Sequence, residues 1–174
     1  DTVSALANAG HAVTHYPLQF PGELRADVRH ALPETVEVML DRGVAGLEPF
    51  LRSRQGLYDS VIVSRPHNMQ ALRRIIDRNP GLLEGTRLVY DAEAMFSLRD
   101  IARAVVEGRP FPESEQRARI DEELRLARGV DDILAVSEQE ARHYRDAGFD
   151  PVHVLGHEAT VVRDTPGFGS RSGF

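Results

Sequence analysis

The apolar residues of this chain fall in short unbroken runs, and most runs are followed by a stretch with helical spacing. Val61-Ile62-Val63 precedes a predicted helix over 69–78, where Met69, Leu72, Ile75 and Ile76 recur three and four apart. Leu88-Val89 precedes a predicted helix at about 94–107, and Ile133-Leu134-Ala135-Val136 precedes one over 138–147. A run too short for a helix and without polar alternation is what a strand covered on both faces requires. Strands that alternate with helices return to the same end of the sheet each time, so they pair in parallel. The pattern therefore points to a parallel sheet with helices packed on it.

The other segments fit the same alternation. Residues 2–9 are predicted as the end of a helix, with Val3, Leu6 and Ala7 on one face and Gly10 after it as C-cap. A strand is predicted over 12–16, a loop over 17–22, a short helix over 23–30, and a strand over 34–40 where Val36, Val38 and Leu40 alternate. A helix over 44–54 carries Leu47, Phe50 and Leu51. Asn79-Pro80-Gly81 stops the helix before it, and a charged helix over 113–128 has the stripe Ile120, Leu124, Ala127. A last strand over 152–155 precedes a tail rich in Gly, Ser, Thr and Pro. The expected organisation is one Rossmann-like, doubly wound α/β domain over 1–157 and a linker over 158–174.

Composition removes several chemistries. With 174 residues, net charge −6 and no cysteine, the chain has neither the basic surface of a general nucleic-acid binder nor a thiolate or disulfide framework. All 21 basic residues are Arg, so the phosphate-binding P-loop and Schiff-base catalysis, which need Lys, are excluded. A GC-rich coding sequence accounts for this bias without any functional reason. No apolar run approaches the ~18 residues of a membrane span.

Ligands of parallel α/β folds bind beyond the carboxyl ends of the strands. The residues expected there are Ser64, Arg65, Pro66, His67 and Asn68 after one strand, Asp91 and Glu93 after the next, and Ser137 and Glu138 after a third. Helix N-termini at the same rim suit phosphate or carboxylate groups. Structural readings stand beside the functional ones. Ser137 with Glu140 has capping-box spacing, Asn68 and Asp91 are N-cap candidates, and Arg65 and Asp91 are placed to pair across the rim. His67 has no such structural reading, and a histidine there can move a proton near neutral pH.

Other motifs fail. The glycines of 167–173 have the wrong spacing for a dinucleotide fingerprint and no strand before them. His157-Glu158 lacks the second histidine of a zincin helix, position 161 being Val161. Asp91-Ala92-Glu93 has the form of a carboxylate pair for a divalent cation, a common and unspecific pattern. His11 with His15, and His153 with His157, lack a third ligand.

Three segments in order resemble one family. Tyr58-Asp59-Ser60-Val61-Ile62-Val63-Ser64-Arg65-Pro66-His67, Leu88-Val89-Tyr90-Asp91-Ala92-Glu93-Ala94-Met95-Phe96-Ser97-Leu98-Arg99, and the stretch from Glu122-Glu123-Leu124 to Ser137-Glu138-Gln139-Glu140 are similar to segments of bacterial glycosyltransferases of the GT-B fold. Arg171-Ser172-Gly173-Phe174 resembles the lead-in to that family's second domain. The resemblance implies the acceptor-side half of an enzyme that moves a sugar from a nucleotide-sugar to a glycan, lipid-linked or other acceptor hydroxyl, in cell-surface polysaccharide synthesis. It implies a donor-binding half beyond the linker, no metal, and no cofactor besides the nucleotide-sugar co-substrate. Its expected location is the cytoplasm or the inner face of the membrane. On this reading His67, Asp91 and Glu93 are the catalytic candidates, and Arg65, Asn68, Arg99, Ser137 and Glu138 the substrate-binding ones.

The chain opens on Asp1, inside what would be the family's first helix, so its first strand and the following loop are expected to be missing. That strand would lie between the strands at 12–16 and 61–63. Its place would be filled by an upstream segment, by closure of the flanking strands, or by another chain. Two other classes stay open: a non-catalytic module that uses the same rim for recognition, and a stand-alone NAD-dependent oxidoreductase, which the absent glycine-rich turn disfavours.

Overall fold

A computed structural model describes residues 2–19 and 30–156. The predicted linker over 158–174 and most of the predicted helix over 23–30 lie outside the described residues. The elements are α1 (Thr2–Asn8), β1 (Thr14–His15), β2 (Glu37–Val38), α2 (Gly43–Ser53), β3 (Ser60–Ser64), α3 (Pro66–Ile76), β4 (Arg87–Glu93), α4 (Phe96–Val106), α5 (Glu113–Leu126), β5 (Asp132–Ala135), α6 (Glu138–Asp146) and β6 (Val152–Val154). The alternation of strands and helices is thus the predicted one. The first two strands are much shorter than expected, and β4 runs beyond the Leu88-Val89 run to Glu93.

Strands β3, β4, β5 and β6 form a four-stranded parallel sheet in that order, flanked by helices. Consecutive order with right-handed crossovers places α3, α4 and α6 on one face. That face holds the core: Leu88, Tyr90 and Ala92 of β4 meet Met69, Leu72 and Ile75 of α3, Met95 before α4, and Ala141 and Tyr144 of α6. The charged helix α5 packs across α3 and α4 and buries Ala127, with Ile120 and Leu124 half-buried. Gly148 ends α6 with φ +87°, and Phe149 N–H donates to Tyr144 C=O at 3.0 Å across it.

Two-sided burial, expected of parallel strands, is met on one side only. In β4 the residues Leu88, Tyr90 and Ala92 are buried, while Val89, Asp91 and Glu93 on the other face are half-buried. Ile62 of β3 is 39% exposed. The reason is that α3, α4 and α6 all pack on the first face, so among the described residues the sheet is not covered by helices on both faces as a doubly wound fold requires. Strands β1 and β2 form a separate parallel pair, and β3 shares no ladder with β1 among the described residues.

Side chains tie the small pair to the larger unit. Arg54, at the end of α2, donates to Glu37 Oε1 of β2 at 2.7 Å and forms a second bond to Oε2. Thr14 Oγ1 of β1 donates to Glu37 Oε2 at 2.8 Å, and Tyr58 O–H donates to Thr14 Oγ1 at 3.2 Å. The Arg54 bond holds the Glu37 carboxyl down to about 2, against 4.5 for an ordinary glutamate. A carboxyl lowered by folding stabilises the folded chain above its unfolded value and loses that contribution as pH falls through the folded one. Glu37→Gln should therefore lower stability at pH 7 by less than about 1 kcal/mol, since solvent screens the half-exposed pair. Denaturant midpoints followed with pH should show the two proteins converging between about pH 4.5 and 2. A gap that persists unchanged at pH 2 would contradict the role given to this pair.

Candidate functional site

The carboxyl ends of β3 and β4 lie side by side, with Ser64 opposite Asp91. Ser64 Oγ donates to Asp91 Oδ2 at 2.9 Å. Glu93 N–H donates to Asp91 Oδ1 at 3.1 Å, and Arg65 N–H donates to the Asp91 carbonyl at 2.9 Å. Arg65 Nε donates to Glu93 Oε2 at 2.8 Å. Both members of this ion pair have left-handed backbone, φ 77° at Arg65 and 53° at Glu93. Such strain in a residue with a side chain costs ~1–3 kcal/mol and tends to collect at functional sites. Its local cause at Glu93 is a slip of the β4–β5 register between Asp91 and Glu93, which leaves Ala92 without a partner in β5.

The expected Arg65–Asp91 pair is thus replaced by Arg65–Glu93. Asp91 does not cap α4, because Glu93 N–H and Ser64 take both of its carboxylate oxygens. Asn68 is not an N-cap either; its side-chain amide donates back to the Ser64 carbonyl at 2.9 Å. Helix α3 opens on Pro66, whose missing N–H costs nothing at a first helical position. His67 is exposed, its ring centroid 6.4 Å from that of Phe96, and the Arg99 guanidinium lies 4.1 Å over the Phe96 ring.

The amino end of α4 is closed from within. Glu123 of α5, 6% exposed, accepts from Phe96 N–H at 2.8 Å and from Ser97 N–H at 2.7 Å. Glu140 of α6 accepts from Met95 N–H at 3.1 Å. A phosphate or carboxylate ligand expected at this helix end finds its place taken by two carboxylates of the chain. Ser137 caps α6 as its spacing predicts, accepting from Glu140 N–H at 3.2 Å. The reciprocal half of the capping box is not used, because Glu140 reaches to α4 instead. Glu138 accepts from Arg145 at 2.6 Å. Ser137 and Glu138, read as substrate contacts, are therefore engaged within α6.

Beneath this closure lie four buried polar atoms without hydrogen-bond partners among the described residues: the hydroxyls of Tyr90, Tyr144 and Ser97, and Glu140 Oε2. Burial raises both phenols well above the usual tyrosine range, so neither ionises near neutrality. Sequence reasoning missed Glu123. The available signal was its position, within the stripe Ile120, Leu124, Ala127 on the face that α5 buries.

Two surface cavities, of about 240 and 490 Å³, open at the opposite end of the strands. The smaller is lined by Asp121, Arg125, Arg128 and Phe149, and the larger by Ile76, Pro80, Leu83 and Asp131. The candidate residues line neither. Among the described residues no three His, Cys, Asp or Glu side chains are grouped to hold a metal ion, and no helix is long and apolar enough to cross a membrane. Comparison with protein-family profiles, curated proteins and solved structures returns no match.

Glu123→Ala would leave two backbone N–H groups without acceptors, at ~1–3 kcal/mol each where they are buried. The expected loss in equilibrium denaturation is about 3 kcal/mol. A loss below about 0.5 kcal/mol, the scale of an ordinary surface substitution, would show that the closure contributes little.

Proposed function

We propose that this chain is the acceptor-side half of a nucleotide-sugar-dependent glycosyltransferase. The observation that carries the reading is the network of Ser64, Arg65, Asp91 and Glu93 on two adjacent strand ends, with His67 beside it. The three segments that resemble such enzymes contribute those same residues. Transfer requires an acceptor oxygen to attack the sugar's anomeric carbon as the bond to the nucleotide diphosphate breaks. The acceptor's proton must leave to a base, and the leaving diphosphate's charge must be met from the donor side.

The geometry supports the following division of labour among the candidates. Both carboxylate oxygens of Asp91 are engaged, so its role is to position Ser64 and the turn at Glu93. Glu93 holds Arg65 in its left-handed conformation. His67 is exposed and carries no carboxylate partner among the described residues, which leaves its ring free to take the acceptor proton. Asn68 fixes the first turn of α3, which carries His67. The donor phosphates belong to the other half.

The engagement of both rim carboxylates also favours a second reading, a recognition module that binds a ligand without turning it over. Activity separates the two. The 174-residue chain alone should neither transfer nor hydrolyse a nucleotide-sugar. Joined to its donor-binding half, it should be active, and His67→Ala should lower kcat by about 10²–10⁴ with the fold intact. A folded His67→Ala enzyme with the parent's rate would remove the transferase role given to this rim.

A further inference from the structure

Three arginines of the described structure place their guanidinium groups over phenylalanine rings, and they differ in what their N–H groups do. Arg54 lies 5.0 Å over Phe50 and gives its donors to Glu37 and Tyr58. Arg119 lies 4.1 Å over Phe111 and donates to Glu115. Arg99 lies 4.1 Å over Phe96 and has no hydrogen-bond or ion-pair partner among the described residues. The side chain is exposed, in the first turn of α4, and the ring beneath it faces His67.

A guanidinium over an aromatic face is held there by the attraction of its charge to the π-electrons. Arg99 gives no N–H to an acceptor among the described residues, so the donors of its planar fork stay available to a ligand. Holding the side chain in one orientation also removes part of the entropy cost of binding. The planar fork matches a carboxylate or phosphate with two parallel hydrogen bonds. None of the rim acids Asp91, Glu93, Glu123 and Glu140 forms an ion pair with Arg99. Glu93 is taken by Arg65, Asp91 by Ser64 and Glu93 N–H, and Glu123 and Glu140 by the start of α4.

We propose that Arg99, seated over the Phe96 ring, is the anchor for a carboxylate or phosphate carried by the acceptor sugar beside His67. The inference rests on the acceptor-side reading of the rim and adds the acceptor's chemical class: an anionic sugar, not a neutral one. The arginine edge takes the acid group, and the hydroxyl to be extended lies toward the His67 ring.

Direct binding tests this without requiring turnover. The 174-residue chain would be titrated with methyl glucuronide, glucose 1-phosphate, methyl glucoside and inorganic phosphate, followed by amide and arginine Nε–H NMR shifts. The expected result is a saturable shift at Phe96 and Arg99 with one or both anionic sugars, on the order of tenfold tighter than with methyl glucoside, as befits a charge-assisted bidentate contact. The tighter of the two anionic sugars tells carboxylate from phosphate. Arg99→Gln should bring that ratio close to one, and Arg99→Lys should restore it only in part, since Lys keeps the charge and loses the fork.

Equal binding of methyl glucoside would overturn the proposal. So would equal binding of inorganic phosphate, which would mark a site for a free ion, or the absence of a shift at Arg99 with any probe. Turnover of neutral acceptors without anion preference would overturn this inference and leave the transferase reading standing. Anion-selective binding without turnover in the joined protein would do the reverse.

Discussion

Two carboxylates hold the amino end of α4, and the arrangement of the rim follows from them. Three successive backbone N–H groups, at Met95, Phe96 and Ser97, point at Glu140 and Glu123. Met95 and Ser97 are almost fully buried, so water cannot stand in for the acceptors. The charge of Glu123, itself buried, is met by the two N–H groups and by the positive end of the helix dipole. One interaction thus joins α5 and α6 to the β4–α4 junction. Phe96 is the first residue of the helix so held, and Arg99 lies one turn on. The aromatic ring, the guanidinium over it and the imidazole across from it inherit their positions from that closure.

The closure also redistributes charge along the rim. An open helix N-terminus attracts anions, and three such ends were expected beyond the sheet. At α4 the field is spent on Glu123 and Glu140, and at α6 the first turn is capped by Ser137. Asp91 and Glu93 are likewise engaged by neighbours. What faces solvent with donors to spare is Arg99, which has no partner among the described residues, and Arg65, which gives only its Nε–H to Glu93. On the proposed reading, an anion at this rim is met by a side chain instead of by the backbone of a bare helix end.

The layout of the larger sheet was legible because period and length of apolar runs respond to burial, and burial here is local to each β–α unit. Val61-Ile62-Val63, Leu88-Val89 and Ile133-Leu134-Ala135 all occupy strands, and Met69, Leu72 and Ile75 all face the core. The rim residues were found by the same reasoning, since position after a strand is a sequence property. Their partners were not. Arg65 pairs with Glu93 because of a register slip that no local pattern announces. Glu140 leaves its capping box for Met95, a residue 45 positions away. Glu123 was unreadable as an acceptor for a related reason: its N–H donors are brought to it by the packing of α5 on α4. Contacts between distant segments depend on the assembled fold, and a single sequence read without relatives does not display them.

Hydrogen exchange at single amides addresses the closure directly, since an N–H bonded to a buried carboxylate exchanges only when that bond opens. Under native conditions the amides of Phe96 and Ser97 should be protected to nearly the level of Tyr90 and Ile133 in the central strands. Met95, bonded at the longer distance to half-buried Glu140, should follow them. Exchange of Phe96 and Ser97 at the rate of an exposed loop would contradict the account, because the closure would then be open most of the time and could not position Arg99.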